Sequence, residues 1–302
     1  MRRPALRRAW APAGAAALLV LACALPALEL PRDTVDVVVV FDITQSMDVP
    51  DVELDGAPTS RLDYARESAR RALLALPCGS RVGWAAFTEY RTLMLLAPVE
   101  VCGNYGDLLA TLAHVDGRIR WANASEISKG VYWAMRGVKE LPGKPALVFV
   151  TDGQESPPLG ESGAPMFDDL APGQVHGWLA GVGGPVPAPI PRSDADGRIF
   201  GVWRAQDVIQ RTPLPGRPPS HEELSSRADG HLRALAARVG LDYATLDEPS
   251  TLGRLMRDPR LARRAAVPTD VSWLPAAMAL LLLAWHFRPD VRPGRLIRTS
   301  GT

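Results

Sequence analysis

The stretch VVVVFDITQSM, residues 37 to 47, constrains the fold of this 302-residue chain more than any other segment. Together with the residues before it, it forms VDVVVVFD, an almost unbroken apolar run that ends on Asp42. Such a run is typical of a strand that is buried on both faces, as in a parallel sheet covered by helices on both sides. A second run, PALVFVTD, residues 145 to 152, also ends on an aspartate, Asp152.

Helical and extended patterns alternate along the chain. Hydrophobic patterning predicts strands over 35–42, 81–88, 91–99, 145–152, 174–183 and 241–246, with 91–99 as an edge hairpin partner. It predicts helices over 61–76, 105–115, 126–141, 221–240 and 249–258. This alternation predicts a doubly wound, Rossmann-like α/β domain with a mostly parallel sheet, over residues 33–255. The Pro/Gly-rich residues 185–219 are interpreted as an insertion, a loop or a hairpin.

Both ends of the chain have the pattern of membrane segments. Residues 1–30 combine an arginine-rich start with an apolar run, which indicates a signal anchor or a cleaved signal peptide. After a linker over 256–270, the 17-residue run 271–287 predicts a transmembrane helix at the lower limit of length. An arginine-rich tail, 288–302, follows it. The positive-inside rule places both tails in the cytoplasm and the main domain on the periplasmic or exterior side.

Three cysteines are present, and Cys78 and Cys102 lie in the region expected outside the cytoplasm. Disulfides persist in such compartments, and each of these cysteines lies at the edge of a predicted element. We expect them to form a disulfide, with two free buried thiols as the alternative.

The charge balance excludes a simple nucleic-acid binder. Lys and Arg total 34 and Asp and Glu total 33, which gives a net charge of +1, and a nucleic-acid binder would show a clustered basic surface. The five histidines have no metal-binding spacing. No Gly-x-Ser-x-Gly motif of a hydrolase occurs.

Asp42, Thr44 and Ser46 follow the first buried strand at alternate positions, so their side chains are expected to point the same way. Asp152 ends the other buried strand, and the carboxyl ends of such strands form the ligand-binding edge of a doubly wound sheet. Carboxylate and hydroxyl oxygens suit a hard divalent cation, Mg²⁺ or Ca²⁺, and not zinc. The alternative is that Asp42 and Ser46 merely cap the next element and that Asp152 begins a turn.

The pattern strand-D-x-[ST]-x-S-M followed by strand-T-D-G resembles the metal-ion-dependent adhesion site of von Willebrand factor type A (VWA) domains. The resemblance covers roughly residues 33–255. It implies that Asp42, Thr44 and Ser46 form the first ligand loop and that Asp152 is the acidic residue of the third loop. It also implies a second-loop hydroxyl, for which Ser125 in WANASEISKG is the best match and Ser128 the alternative.

Within this group, two anchors around a periplasmic domain resemble bacterial inner-membrane proteins of the Bat type. The segments DITQSM and LPCGSRVGWAAFTEYR, with PVEVC after them, are most similar to MxaL-type proteins of methanol dehydrogenase gene clusters. This resemblance implies an accessory or assembly factor for methanol dehydrogenase, with calcium insertion as one role. The alternative is a component of a Bat-like stress-tolerance membrane complex.

The resemblance implies a non-enzymatic binding module, in which a partner protein offers an acidic residue to the metal. The named partners would be methanol dehydrogenase or a sister VWA protein. A Mg²⁺-dependent phosphatase is the enzymatic alternative, but Thr44 stands where such enzymes carry a second acid. A third alternative is a membrane component in which the metal only stabilises the fold.

Overall fold

The computed structural model describes residues 4–159, 169–211 and 220–288, without the side chains of residues 4–9. Contacts divide the chain into two compact units. One comprises Met1–Pro31 with Ala266–Thr302, and the other comprises Arg32–Ala265. Most of the basic tail predicted over 288–302 and the end of the insertion predicted over 185–219 lie outside the described residues.

The strands, in chain order, are β1 (Leu28–Thr34), β2 (Asp36–Asp42), β3 (Val52–Leu54), β4 (Ala57–Thr59), β5 (Arg81–Thr88), β6 (Arg91–Glu100), β7 (Ala146–Thr151), β8 (Gly177–Gly181), β9 (Ala188–Pro189), β10 (Pro191–Ser193), β11 (Ile199–Val202), β12 (Leu224–Ser225), β13 (Asp242–Thr245) and β14 (Arg263–Thr269). The α-helices are α1 (Pro4–Ala24), α2 (Arg61–Ala75), α3 (Tyr105–Ala113), α4 (Ile127–Glu140), α5 (Asp229–Val239), α6 (Pro249–Met256) and α7 (Trp273–His286). A short 3-10 helix, Gln45–Asp48, follows β2.

A six-stranded sheet forms the centre of the larger unit, in the order β13-β8-β7-β2-β5-β6. All its pairings are parallel except that of β5 with the edge strand β6. Counting only these six strands along the chain, the order is 3-2-1-4-5-6, which is that of the doubly wound α/β sheet. The predicted mixed α/β fold with a mostly parallel sheet is therefore confirmed, including the antiparallel edge partner.

The valine run of β2 has a clear physical role, because its side chains alternate between two cores. Val37, Val39 and Phe41 pack with apolar residues of α2, α3 and α6 on one face of the sheet. Val38 and Val40 pack with α4 and α5 on the other face. A strand covered on both sides needs apolar residues at every position, which explains the absence of an alternating polar pattern.

The order of the sheet reverses direction between β2 and β7. These neighbours pair in register from Val37 opposite Ala146 to Phe41 opposite Val150. Helix α2, after β2, packs on one face of the sheet, and Val175, just before β8, packs on the other. In folds of this kind ligands bind beyond the carboxyl ends of the strands at such a point. Asp42 and Asp152 both lie at this point.

The helix predicted over 221–240 is wrong in its first part, since α5 begins at Asp229. Leu224 and Ser225 instead form β12, which pairs antiparallel with Ala188 and Pro189 of β9. Tertiary pairing with the insertion overrides the local helical tendency here. The described part of the insertion contains the hairpin β10–β11, as one of the two predicted alternatives had it.

Cys78 and Cys102 form a disulfide, as predicted. Their Cα atoms are 5.3 Å apart, within the usual range for a disulfide. The bond joins the turn before β5 to the turn after β6, so it closes the base of the antiparallel edge hairpin.

In the smaller unit, α1 and α7 pack against each other, and the rings of Trp10 and Trp285 lie 6.1 Å apart. The transmembrane expectation is not supported. Within the described residues no helix is both long enough and apolar enough to cross a membrane. The predicted span over 271–287 forms only the 14-residue helix α7. The predicted linker over 256–270 is partly ordered, because β14 pairs with β1.

Two glycines of α4 give a direct test of the packing. A Cβ atom on Gly130 would lie 2.0 Å from the Phe87 ring, whereas one on Gly137 would meet nothing within 4 Å. We predict that Gly130→Ala lowers the free energy of unfolding by about 1–3 kcal/mol through overpacking. The control Gly137→Ala should raise it by up to about 1 kcal/mol through helix propensity. Urea denaturation measures both changes, and equal effects would contradict this packing of α4 on β5.

Candidate metal centre

The first group of site residues lies where β2 ends. Asp42 Oδ1 accepts hydrogen bonds from the backbone N–H of Thr44 at 2.9 Å and from its Oγ1 hydroxyl at 2.7 Å. The Thr44 and Ser46 hydroxyl oxygens are 3.2 Å apart. Asp42 Oδ2 accepts a bond of 2.6 Å from Thr151 Oγ1, on the neighbouring strand β7. The structure therefore brings Asp42, Thr44 and Ser46 together, as their alternate spacing predicted.

Ser125 lies on the loop before α4 and is held by its backbone. It exchanges two backbone hydrogen bonds of 2.7 Å with Ser156, which follows β7. The residue is only 3 % exposed, yet its Oγ atom has no hydrogen-bond partner within the described part of the chain. A buried hydroxyl without a partner costs free energy, so this atom is suited to a ligand.

Ser128, the alternative to Ser125, has a different role. Its hydroxyl donates to Glu155 Oε1 at 2.6 Å, and its backbone N–H donates to the same oxygen at 2.9 Å. His231 Nε2 lies 3.0 Å from that oxygen as well. Ser128 thus belongs to a separate polar cluster at the start of α4, and the geometry favours Ser125 as the hydroxyl near Thr44 and Ser46.

Asp152 has a buried cation beside it. The guanidinium of Arg61, at the start of α2, donates from Nη1 to Asp152 Oδ2 at 2.6 Å. Its Nε and Nη2 atoms donate to both carboxylate oxygens of Asp51, at 2.8 and 2.6 Å. Ser225 of β12 adds a bond of 2.7 Å to Asp152 Oδ2. Two donors therefore occupy Oδ2, and among the described residues Oδ1 accepts one bond, from the backbone N–H of Gln154 at 3.0 Å.

The close packing around Arg61 requires a glycine on the loop after β8. Gly183 has a φ of +114°, and a Cβ atom there would lie 2.5 Å from Arg61 Nε. Only glycine adopts this conformation without strain and leaves room for the guanidinium.

Asp42 lacks such compensation. It is fully buried, and its bonding partners Thr44 and Thr151 are neutral. Burial, and after it the nearby charge of Asp152, raise the pKa of Asp42 from 3.8 to about 7, against the opposing effect of the hydrogen bonds from Thr151 and Thr44. A divalent cation beside these carboxylates would favour the ionised form of Asp42.

A cavity of about 250 Å³ opens above this group, and Thr44, Ser46 and Ser125 line one side of it. Asp42 and Asp152 are fully buried and are not part of its wall. The available donors are oxygen atoms from hydroxyls and carboxylates, the donor type that Mg²⁺ and Ca²⁺ prefer. The residues present therefore fit a hard divalent cation, which the hydroxyls, Asp42 and Asp152 would hold.

Sequence reasoning missed the residues that hold the site loop in place. Arg120 donates from Nε to the carbonyl of Ile43 at 2.6 Å and from Nη2 to Asp48 at 3.0 Å. Gln45 donates to the carbonyl of Ser193 on β10 at 3.1 Å. The acidic stretch 48–55 could have indicated buried arginine partners near the site. Asp51 binds the buried Arg61, and Asp48 binds the half-buried Arg120.

Comparison with known proteins gives similarity only at the level of three-dimensional structure. No family model and no curated protein matches the chain. An aerotolerance-related membrane protein from Bacteroides fragilis is 18 % identical, with a TM-score of 0.49, over 74 % of this chain and 96 % of its own. BatB from Bacteroides thetaiotaomicron is 19 % identical, with a TM-score of 0.49, over 73 % and 94 %.

A von Willebrand factor type A protein from Catenulispora acidiphila is 13 % identical, with a TM-score of 0.42, over 75 % of this chain and 42 % of its own. VWA domains and Bat proteins are thus among the structures similar to this chain.

The raised pKa of Asp42 predicts a pH dependence of stability in the metal-free protein. Because the folded-state pKa of about 7 exceeds the ordinary value of 3.8, the folded state favours the protonated acid. This contribution is complete below pH 3.8 and is lost as the pH rises to about 7. At about 1.4 kcal/mol per pKa unit, the loss is of the order of a few kcal/mol.

Asp42→Asn cannot ionise and serves as the control. Urea denaturation in excess EDTA at several pH values should show that the wild type loses stability relative to Asp42→Asn as the pH rises through this range. Parallel pH profiles for the two proteins would contradict the assigned environment of Asp42.

Proposed function

We propose that this chain is a non-enzymatic, VWA-like binding module that holds Mg²⁺ or Ca²⁺ and binds a partner protein through it. Asp42, Thr44, Ser46, Ser125 and Asp152 would hold the cation. An aspartate or glutamate of the partner would complete the coordination from the cavity side. In this proposal the cation supplies a positive charge to which the partner's carboxylate binds.

The unpartnered Ser125 hydroxyl is the observation that carries the proposal. Its oxygen is buried, and its residue lines the same cavity as Thr44 and Ser46. A capping or turn role for Asp42 would explain the bonds to Thr44, but it would leave Ser125 without a partner. A cation among the three hydroxyls accounts for both facts, and it compensates the buried charge of Asp42.

The make-up of the cavity wall supports binding in preference to catalysis. No histidine, cysteine or lysine lies among the described residues that line it. The nearby Ser128, Glu155 and His231 do not form a nucleophile–base pair, because the carboxylate lies between the hydroxyl and the ring. We therefore expect no turnover.

Two affiliations follow from the sequence resemblance. The similar structures include a BatB protein and an aerotolerance-related membrane protein, which agrees better with a Bat-like component than with a methanol dehydrogenase factor. We propose the Bat-like role first and keep maturation of methanol dehydrogenase as the alternative. At these low similarities the proposal depends on the site geometry.

Partner capture tests the function. Tagged wild-type protein is purified from detergent-solubilised cells in Mg²⁺, in Ca²⁺ and in EDTA, and bound proteins are identified by mass spectrometry. We expect a partner that is retained with a divalent cation and lost in EDTA. Asp42→Asn should also lose it, because the variant removes a charge that holds the cation. Since the protonated form of Asp42 is already tolerated, the asparagine should preserve the fold.

Glu53→Ala is the matched control, since it removes an exposed acid of β3 and should leave capture unchanged. Circular dichroism and a melting curve check that both variants are folded. A partner set that is the same in all metal conditions and in Asp42→Asn would contradict metal-dependent binding.

A further inference from the structure

The cavity beside the candidate metal centre carries more information than the cation ligands alone. Its wall combines hydroxyls, several apolar side chains and the exposed carboxylate of Asp207. We propose that it binds an extended segment of the partner in which a single acidic residue stands next to a bulky aliphatic residue. This inference rests on the proposed function and specifies the partner sequence that the site accepts.

Trp203 forms part of the cavity wall and is bonded to the loop of residues 42–46. Its indole N–H donates to the side-chain carbonyl of Gln45, which lies between Thr44 and Ser46. The guanidinium of Arg192 lies 4.6 Å from the centre of its ring. The backbone N–H of Trp203 donates to the carbonyl of Ile190 at 3.0 Å. These bonds fix the Trp203 ring relative to Thr44, Ser46 and Ser125, which line the same cavity.

The apolar part of the cavity continues from Trp203 to Ile190, Val208, Ile209 and Pro157. Ile209 is 70 % exposed although it lines a concave surface. An aliphatic side chain of the partner placed here would bury its own apolar surface and that of the cavity wall, which favours binding. A polar residue next to the partner's acidic residue would gain no free energy from burial against this wall.

The charge at the rim selects against a run of acids. Asp207 lines the cavity, is exposed and has no cation beside it within the described part of the structure. Glu222, the other acid of the wall, is paired with Arg211 at 2.9 Å. A second acidic residue of the partner would be repelled by Asp207, so a single acid flanked by aliphatic residues is the complementary ligand.

Synthetic peptides test this inference by calorimetric titration of the full-length protein in Mg²⁺ and in EDTA. The probes are acetyl-Gly-Leu-Asp-Leu-Gly-amide, acetyl-Gly-Ser-Asp-Ser-Gly-amide and acetyl-Gly-Glu-Asp-Glu-Gly-amide. We expect the leucine peptide to bind about tenfold more tightly than the serine peptide in Mg²⁺, because it buries aliphatic surface. The glutamate peptide should bind most weakly.

Two exposed isoleucines provide a matched pair of variants. Ile209→Ser should remove most of the preference for leucine, whereas Ile199→Ser, on the hairpin outside this cavity and 63 % exposed, should leave it unchanged. Asp207→Asn should reduce the discrimination against the glutamate peptide. The affinity for Mn²⁺ alone should stay the same in Ile209→Ser and Ile199→Ser, since neither changes a charge or a residue proposed to hold the cation.

The outcomes separate the two proposals. Equal affinities for the leucine and serine peptides, both dependent on Mg²⁺, would overturn the role of the apolar wall and leave metal-dependent acid binding intact. No Mg²⁺-dependent binding of any aspartate peptide would overturn both. A leucine preference that persists in Ile209→Ser but disappears in Ile199→Ser would place the aliphatic contact elsewhere and contradict the inference.

Discussion

Two carboxylates, Asp42 and Asp152, are buried at the carboxyl ends of neighbouring parallel strands, and buried charges of like sign need compensation. Register forces this proximity, because β2 and β7 pair in step up to the point where both strands end. The two carboxylates receive different compensation. Arg61 forms an ion pair with Asp152 and shares its charge with Asp51, whereas the described hydrogen-bond partners of Asp42 are neutral.

Asp42 and Asp152 therefore have different roles. Asp152 is anchored by Arg61 and Ser225, so it connects the sheet to α2 and to β12. Asp42 retains an uncompensated charge when it ionises, and it contacts the hydroxyl of Thr44 that faces the cavity. A cation bound at this edge would therefore complete a charge balance that the folded chain leaves unfinished, and its open side would face a partner.

The insertion between β8 and α5 packs beside the loop of residues 42–46. The β10–β11 hairpin is hydrogen-bonded to this loop through Gln45, and Arg120 bonds both the loop and Ser193 of the hairpin. The loop and the wall of the cavity therefore form one connected structure. The apolar wall residues Ile190, Trp203, Val208 and Ile209 belong to this insertion and are separate in the chain from Asp42, Thr44 and Ser46.

Much of the sheet could be predicted from local pattern, because a strand packed on both faces needs apolar residues throughout, as Val37 to Phe41 show. The grouping of Asp42, Thr44 and Ser46 was also predictable, since it depends on spacing within one loop. Other features depend on distant partners. The start of α5 was misplaced because β12 pairs with β9, and nothing within residues 61–76 indicates that Arg61 is buried beside Asp152. The membrane segments were inferred from composition, but no described helix has the required length and apolarity.

The choice between Ser125 and Ser128 needed the structure, since both are hydroxyls near the start of α4 in the sequence. Only hydrogen-bond geometry distinguishes them, because Ser128 is bonded to Glu155 and Ser125 Oγ has no partner within the described residues. The same comparison gives the most direct test of the cation site.

That test is the affinity of the metal-free protein for Mn²⁺, measured by electron paramagnetic resonance for wild type, Ser125→Ala and Ser128→Ala. If Ser125 is a ligand, its loss should weaken binding about tenfold, as removal of about 1.4 kcal/mol of ligand interaction would. Ser128→Ala should bind Mn²⁺ as the wild type does. A wild type that binds no Mn²⁺, or variants that weaken binding equally, would contradict the assignment of the metal centre.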